Sequence, residues 1–314
     1  MTATRIGKPT ALAASLLLAL AGCNGKTEDV DLAIVTPEPG INVTAPAASS
    51  PTPAAAASAK ATDAAAPTPT APAPAATAAA TRAEGWGTLK GRVLFGGEPP
   101  AQKILVAKGD PGAKDSKICA VEAIPSQRLV VDKASKGVRY AVVYIPKPTA
   151  VKPEARDAAL KKQVVFDQRN CIFDPHVLAV MKGQKVVVKQ DDPGVSHNIH
   201  SYLQNLPFNS SMATGQTQTI EPKSPERLPG LVVCDIHKWM SAYWLVADNP
   251  YFAVTDEKGN FEIKDVPAGT QKVVVWQEAT GPVTPGVGEP LDIKAGGETT
   301  KDFTVDPGKV KPEG

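Results

Sequence analysis

The chain has 314 residues and a formal net charge of +2, with 34 basic and 32 acidic side chains. A charge so close to zero gives no basis for a nucleic-acid partner or for electrostatic binding to a membrane surface. The 30 Pro and 25 Gly residues, together with few runs of helical periodicity, predict an all-β folded part. Rossmann, P-loop, H-E-x-x-H and nucleophile-elbow patterns are absent from the sequence, so no common enzyme class is indicated.

Residues 1–22 have the pattern of a signal peptide, with an apolar stretch at residues 11–20 that is too short to span a bilayer. The run Leu-Ala-Gly-Cys that ends at Cys23 resembles the lipobox of bacterial lipoproteins. That resemblance implies lipidation of Cys23 and attachment to the periplasmic side of a membrane through the lipid alone. Asn24 favours the outer membrane. The alternative is an ordinary signal peptide with a coincidental Cys.

Residues 23–85 consist mostly of Ala, Pro and Thr, with few aromatic or large aliphatic residues. Such a segment cannot bury enough apolar surface to offset the entropy that is lost on ordering. We therefore expect a disordered tether that spans up to roughly 190 Å when stretched as polyproline II.

The chain from residue 87 to residue 306 consists of short β-rich runs separated by Gly and Pro. Predicted strands flank a central region, residues 163–249, on both sides. They are Thr88–Phe95, Lys103–Ala107, Arg128–Lys133 and Arg139–Ile145 before it, and Phe252–Thr255, Phe261–Val266, Gln271–Trp276, Leu291–Ala295 and Thr299–Val305 after it. Residues 307–314 are predicted to form a tail.

The loop from Cys234 to Met240 contains the most informative motif. It spaces Cys234, His237 and Met240 three residues apart, so a thiolate, an imidazole and a thioether share one short segment. Blue-copper centres bind copper with one Cys, two His and a weakly bound axial Met. The second imidazole is available from His197 or from His200. The alternative is a chance match of a buried thiol, a turn His and a core Met.

Residues 163–249 resemble a cupredoxin, from the Greek-key β-sandwich family of plastocyanin, azurin and amicyanin. The two-residue gap between His237 and Met240 is similar to the short amicyanin-type loop. The segment His197–His200 is similar to the first-ligand segment of the family, and Lys182–Val188 matches the turn and strand that precede it.

The resemblance implies one type-1 copper bound by His197, Cys234, His237 and Met240, with Asn198 bracing the ligand loop. It also implies that the outer ring edge of His237 faces solvent and passes electrons in and out.

Two further histidines are competing candidates. His200 competes for the first ligand position, and His176 follows Cys171 at a spacing that can bind metal, although a loop His beside a disulfide is the favoured interpretation. Zinc at the main site requires a carboxylate such as Asp235, because Met is not a zinc ligand. The chain departs from the cupredoxin pattern at Ser196, where the family usually has Pro, and at Cys171; neither is a ligand position.

Two segments outside the central region resemble the carboxypeptidase-regulatory, or transthyretin-like, β-sandwich. They are Gly91–Val93 before it and, after it, Thr255–Phe261 together with Val266–Gly269. Residues 250–306 alone are near the lower size limit for a stable core. The interpretation is a sandwich of residues 86–150 plus 250–306, into which the cupredoxin is inserted or with which it shares strands. The rival is a cupredoxin with a long N-terminal extension, followed by a small separate β-domain.

The four cysteines have separate predicted roles in an oxidising compartment. Lipid attachment accounts for Cys23 and metal for Cys234, which leaves Cys119 and Cys171 as a disulfide. The alternative is two separate buried thiols.

These features predict an electron carrier rather than an enzyme, because one isolated copper ion passes a single electron. The sequence has no C-x3-C pair for a binuclear centre and no H-x-H pairs of the multicopper-oxidase type. Periplasmic redox proteins are the expected partners, docking around His237 beside Lys238 and Trp239, unless Trp239 packs into the sandwich. The alternative function is a non-redox copper-binding or scaffolding lipoprotein that uses the transthyretin-like sandwich as an interaction surface.

Overall fold

The computed structural model of the chain describes residues 84–313. The predicted signal peptide, Cys23 and nearly all of the predicted tether lie outside the described residues. Within that range the chain forms 22 strands, two α-helices and one 3-10 turn, so the predicted all-β fold class is confirmed. No described helix is long and apolar enough to cross a membrane.

The strands follow the predicted order closely. They are β1 (Trp86–Phe95), β2 (Ile104–Val106), β3 (Ile124–Pro125), β4 (Val130–Val131), β5 (Val138–Arg139), β6 (Val142–Tyr144), β7 (Val164–Arg169), β8 (Ile172–Asp174), β9 (Val177–Met181), β10 (Val186–Gln190), β11 (His197–Tyr202), β12 (Pro207–Met212), β13 (Thr217–Ile220), β14 (Gly230–Val233), β15 (Ser241–Ala247), β16 (Phe252–Val254), β17 (Asn260–Pro267), β18 (Gly269–Gln277), β19 (Gly281–Pro282), β20 (Glu289–Ile293), β21 (Glu298–Thr300) and β22 (Phe303–Val305). The helices are α1 (Ser116–Cys119) and α2 (Pro153–Lys161), and the 3-10 turn is Pro307–Lys309.

One β-sandwich combines strands from both ends of the described chain. In its first sheet, β1 pairs antiparallel with β17 and parallel with β21 and β22. Its second sheet has the order β16-β6-β18-β19, and β20 also pairs with β18. Alternation along β1 and β17 buries Leu89 and Ile263, which share one core with Val143 and Val275 of the second sheet.

Residues 164–247 form a second β-sandwich. Its sheets have the strand orders β13-β10-β7-β8 and β12-β11-β14-β15-β9. Phe166 of β7 packs edge-on against Trp244 of β15, with ring centroids 4.9 Å apart. Both side chains are fully buried, and Val186 and Val188 of β10 belong to the same core. This core supports β11 and β14, which lead into the segments with the candidate ligands.

The segment between β1 and β4 packs on the second sandwich, although it follows a strand of the first. Val106, Cys119, Ala120 and Ile124 are buried in the same cluster as Phe166. The β2–β3 hairpin and the one-turn helix α1 therefore cover part of the second sandwich. Such short elements have no periodicity from which their packing partner can be predicted.

The two sandwiches contact each other through β6 and β18 on one side and β9 and β15 on the other. Val274 and Trp276 of β18 are buried in one cluster with Val177 of β9 and Leu245 of β15. Tyr243 also meets Trp276, with ring centroids 4.9 Å apart. This largely apolar contact also contains a buried pair between His176 and Glu278, and together they fix the second sandwich against the first.

Candidate metal centre

Strand pairing brings the two halves of the candidate site together. Strand β11 begins at His197, and β14 ends at Val233, directly before Cys234. The strands pair antiparallel with His200 opposite Val233, so the start of β11 lies beside the end of β14. His197 and Cys234 therefore meet at one end of the second sandwich.

The loop from Cys234 to Met240 is closed by its own backbone. The amide of Met240 donates to the carbonyl of His237 at 2.9 Å, and the amide of Cys234 donates to the carbonyl of Met240 at 3.1 Å. The amide of His237 also donates to the sulfur of Cys234 at 3.4 Å. Met240 is 1% exposed. These bonds hold Met240 beside the other two candidate ligands of the loop.

Three donor atoms form a small buried triangle. The Nδ1 atoms of His197 and His237 lie 2.9 Å apart, and the sulfur of Cys234 lies 4.0 Å and 3.9 Å from them. A point equidistant from all three atoms is about 2.1 Å from each, close to the metal–imidazole and metal–thiolate bond lengths of about 2.0–2.3 Å that are usual for zinc. The three side chains are almost fully buried. The triangle therefore fits a first-row transition metal as it stands.

A carboxylate binds the far nitrogen of each histidine. The Nε2–H of His197 donates to Asp192 at 2.9 Å, and the Nε2–H of His237 donates to Asp115 at 2.9 Å. Such bonds fix the tautomer and the ring orientation, and they make an imidazole a stronger ligand. Neither Asp192 nor Asp115 was predicted from the sequence to contact the site. Asp192 lies only five residues before His197, whereas Asp115 has no local signal at all.

The contact between thiol and imidazole shifts the pKa of both groups. Burial raises the pKa of Cys234, but hydrogen bonds from His197 and His237 outweigh it and lower the pKa from 9.0 to about 6. Burial lowers the pKa of His197, but hydrogen bonds to Asp192 and Cys234 raise it from 6.5 to about 9. Both shifts favour a thiolate beside an imidazolium in the metal-free site. The thiolate is the form of Cys that binds metal.

Asn198 connects the two halves of the site. Its side-chain oxygen accepts the backbone N–H of Asp235 at 2.7 Å and lies 3.4 Å from the sulfur of Cys234. Its side-chain NH2 donates to Asn209 at 2.8 Å and to the carboxylate of Asp235 at 2.7 Å. These contacts hold the ligand loop against β11.

His200 lies outside the triangle. Its side chain is 28% exposed, its Nδ1 lies 2.9 Å from the carboxylate of Asp235, and its ring stacks on Tyr202 with centroids 4.2 Å apart. The structure thus brings His197, and not His200, to Cys234. It also engages Asp235, the carboxylate proposed for a zinc site, in contacts with His200 and Asn198.

His176 connects the two sandwiches and does not reach the triangle. One ring nitrogen bonds the carbonyl of Ser241 at 3.0 Å, and the other lies 2.6 Å from the carboxylate of Glu278. The possible metal pair of Cys171 and His176 does not form, because the sulfur of Cys171 is in a disulfide.

The expectation that the outer ring edge of His237 faces solvent is wrong. His237 is 0% exposed rather than solvent-facing, because Asp115 comes from 122 residues away to cover its outer edge. Trp239 does not stand out from the loop: it packs against the core and donates its Nε1–H to the carbonyl of Cys171 at 2.9 Å. Lys238 remains exposed.

The predicted disulfide is confirmed. The sulfurs of Cys119 and Cys171 are 2.01 Å apart and their Cα atoms are 5.3 Å apart, within the usual range. Cys234 is the free cysteine of the described range, and it is buried. Its thiolate is therefore available to a metal and protected from bulk solvent.

The chain has partial structural likeness to cupredoxins. No family model and no curated protein matches it. A purple cupredoxin from Nitrosopumilus maritimus is 23% identical over 28% of this chain and 100% of that chain, with a TM-score of 0.24. A reduced Cu(I) form of an amicyanin mutant is 18% identical over 34% and 98%, with a TM-score of 0.24.

A copper-containing nitrite reductase from Thermus scotoductus is also similar, at 20% identity and a TM-score of 0.24. The likeness covers 32% of this chain and 25% of the reductase, so this chain spans about a quarter of that protein. At such TM-scores these likenesses carry no argument about function. The metal assignment depends on the side chains of this chain.

Proposed function

We propose that this chain is a lipid-anchored periplasmic electron carrier with one type-1 copper site. The observation that carries the proposal is the buried triangle of His197, His237 and Cys234, with Met240 on the same closed loop. Two imidazoles, a thiolate and a weak thioether are the donor set of blue-copper centres. A bound copper ion supplies one-electron transfer between Cu(I) and Cu(II).

Copper suits these donors better than zinc does. Structural zinc sites are completed by His, Cys or a carboxylate, and not by a thioether. Asp235, the carboxylate nearest in sequence to Cys234, is engaged by Asn198 and His200. The soft sulfur of Met240 suits the weak axial position of a copper centre.

In electron transfer, the role of the protein is to keep the donor atoms in place. Asp192 and Asp115 orient the two imidazoles through Nε2, and Asn198 holds the ligand loop. A buried and braced donor set needs little rearrangement when one electron is gained or lost. Fast electron exchange follows from that rigidity.

The proposal also includes the lipid anchor, the tether and the division of the chain into two domains. Lipidation at Cys23 attaches the chain to the periplasmic face of the outer membrane, and the tether at residues 23–85 lets it reach periplasmic redox proteins. Residues 163–249 form the cupredoxin domain. Residues 86–150 with 250–306 form the transthyretin-like domain, a division that the antiparallel pairing of β1 with β17 supports, except that the segment between β1 and β4 packs on the cupredoxin domain.

The test is a redox titration of the mature chain, with Cys23→Ala to prevent lipidation, after loading with copper. We expect one electron per chain to be taken up and released reversibly, with a visible band that bleaches on reduction and returns on oxidation. A Cys234→Ser variant of the same chain should show neither the band nor the reversible electron. Copper that binds without reversible reduction would exclude an electron carrier.

A non-redox copper-binding lipoprotein is the second candidate, and one observation favours it. The outer edge of His237 is covered by Asp115, whereas an efficient carrier needs a short route from the metal to the surface. Reversible electron exchange with a small inorganic oxidant in milliseconds to seconds would support the carrier. Copper retained with no such exchange would support the second candidate.

A further inference from the structure

We propose that Asp115 is a positioning residue for His237 and that the Cys119–Cys171 disulfide holds Asp115 in that position. Residues 109–119, named here the covering segment, thereby close the metal centre from the solvent side. The inference deepens the proposed copper-binding function, on which it rests. Neither Asp115 nor the disulfide is among the predicted copper ligands.

The contact between Asp115 and His237 joins distant parts of the chain. The Nε2 of His237 lies 2.9 Å from Oδ2 of Asp115, and the two residues are 122 positions apart. His237 is 0% exposed, although its neighbours Ile236 and Lys238 are both exposed. The covering segment supplies the carboxylate at the outer ring edge of His237, while Trp239 of the ligand loop lies beside the ring, with centroids 5.1 Å apart.

The backbone of the covering segment is shaped to present Asp115. Asp115 has left-handed backbone angles, φ 53° and ψ 40°, a conformation that is uncommon for non-Gly residues but that Asp adopts more readily than most. Its carbonyl accepts the amides of Ile118 and Cys119, both at 2.9 Å. One turn of helix thus connects the carboxylate that binds His237 to the cysteine that forms the disulfide.

The other half of the disulfide is attached to the metal centre itself. The amide of Cys171 donates at 2.8 Å to the same carboxylate oxygen of Asp192 that accepts the Nε2–H of His197. The carbonyl of Cys171 accepts the Nε1–H of Trp239 from the ligand loop at 2.9 Å. Cys171 is therefore fixed to both halves of the site.

The disulfide therefore connects the carboxylate partners of the two imidazoles. Cys119 lies one helical turn after Asp115, the partner of His237, and Cys171 is hydrogen-bonded to Asp192, the partner of His197. Without it, the covering segment is held near the site by Asp115 and by the packing of its apolar side chains, such as Ile118 and Ala113. Carboxylate partners of metal-bound histidines typically change metal affinity 10–100-fold when they are lost. We therefore expect Asp115 and the disulfide to act on copper affinity through the same contact.

The experiment is a competition of the mature Cys23→Ala chain against a Cu(I) chelator, with the disulfide intact. Asp115→Ala should weaken copper binding by about 10- to 100-fold. Asp115→Asn, whose side-chain oxygen can still accept the Nε2–H, should recover part of that loss. Glu122→Gln is the matched control, because Glu122 lies just after the covering segment and its exposed carboxylate pairs with Lys108 at 2.8 Å. This variant should bind copper as the parent chain does.

The disulfide is tested by combining substitutions. Cys119→Ser with Cys171→Ser should also weaken copper binding, and adding Asp115→Ala should cost less than it does in the parent chain, because the contact is already loosened without the disulfide. Losses that multiply in the triple variant would overturn the role of the disulfide. If the double-serine variant does not fold, the copper affinity of the folded parent chain is compared before and after reduction of the disulfide, and an unchanged affinity on reduction would overturn the role of the disulfide.

A second measurement reports the contact itself. In the Cu(I) form, the Nε2 proton of His237 should give a slowly exchanging proton resonance that disappears in Asp115→Ala and persists in Glu122→Gln. Equal copper affinity in Asp115→Ala and the parent chain would overturn the inference while leaving the proposed function intact. A parent chain that binds no copper would instead exclude the proposed function.

Discussion

The Nδ1 atoms of His197 and His237 lie 2.9 Å apart, although the residues are 40 positions apart in sequence. His197 opens strand β11 and His237 lies in the loop after β14, so the contact exists only because those strands are paired. Each ring is oriented from behind by a carboxylate, Asp192 or Asp115. The two Nδ1 atoms and the sulfur of Cys234 are therefore placed so that all three can bind one metal ion.

The two neighbouring histidines should respond differently to substitution. His197→Ala removes a corner of the triangle and should weaken copper binding by at least about 100-fold. His200→Ala removes a partly exposed ring that contacts Asp235 and should leave copper binding within about threefold of the parent chain. Competition with a chelator measures both variants. The reverse order of effects would reassign the second imidazole ligand to His200.

The metal-free chain should contain a thiolate at neutral pH. The pKa of Cys234 is lowered to about 6, so its ultraviolet thiolate absorbance should persist at pH 7 and be lost as the pH falls through about 6. A lowered pKa means that the thiolate favours the folded state and that this contribution is lost on the acid side.

The control for this titration is His197→Ala, which removes a hydrogen bond that lowers the pKa of Cys234. The midpoint in this variant should move upward. The paired cysteines do not titrate, and Cys23→Ala removes the remaining thiol. A parent midpoint in the ordinary range near 8.5 would contradict the close contact of thiol and imidazoles.

The lipid anchor is tested in cells. Cys23→Ala should move the protein from the membrane fraction to the soluble periplasmic fraction, because acyl chains are the only membrane contact that the sequence predicts. Cys234→Ser, which changes another cysteine, should leave the protein with the membrane. Continued membrane association of Cys23→Ala would point to a different anchor.

Exposed charge on the ligand loop should steer an anionic redox partner. Lys238 is exposed beside the buried His237, so Lys238→Glu should slow oxidation of the reduced chain by ferricyanide by about 2- to 5-fold at low salt, and less at high salt. Lys264→Glu makes the same change of charge on strand β17, at a side chain that is 70% exposed. Equal rates for both variants would show that Lys238 has no special position.

Local patterns predict the parts of this protein whose residues are close in sequence. The spacing of Cys234, His237 and Met240 is visible because one short loop carries all three. Alternating apolar residues and turn-forming Gly and Pro likewise predict most strands, since a strand buries every second residue. The run Arg139–Ile145 was expected to be one strand and is divided between β5 and β6.

Contacts between distant segments were not predictable in the same way. Nothing near Asp115 indicates that its carboxylate meets His237, because the contact depends on how the covering segment packs on the second sandwich. For the same reason, the sequence wrongly predicted that the outer ring edge of His237 is exposed to solvent. The Cys119–Cys171 pairing was predicted only because the other two cysteines already had roles.

The most direct test of the copper assignment is one visible absorption spectrum of the copper-loaded mature chain. We expect an intense charge-transfer band from a short bond between Cu(II) and the thiolate of Cys234, at one copper per chain, and we expect this band to be absent in Cys234→Ser. A colourless chain that contains stoichiometric Cu(II) would contradict the assignment of the triangle as a type-1 copper site.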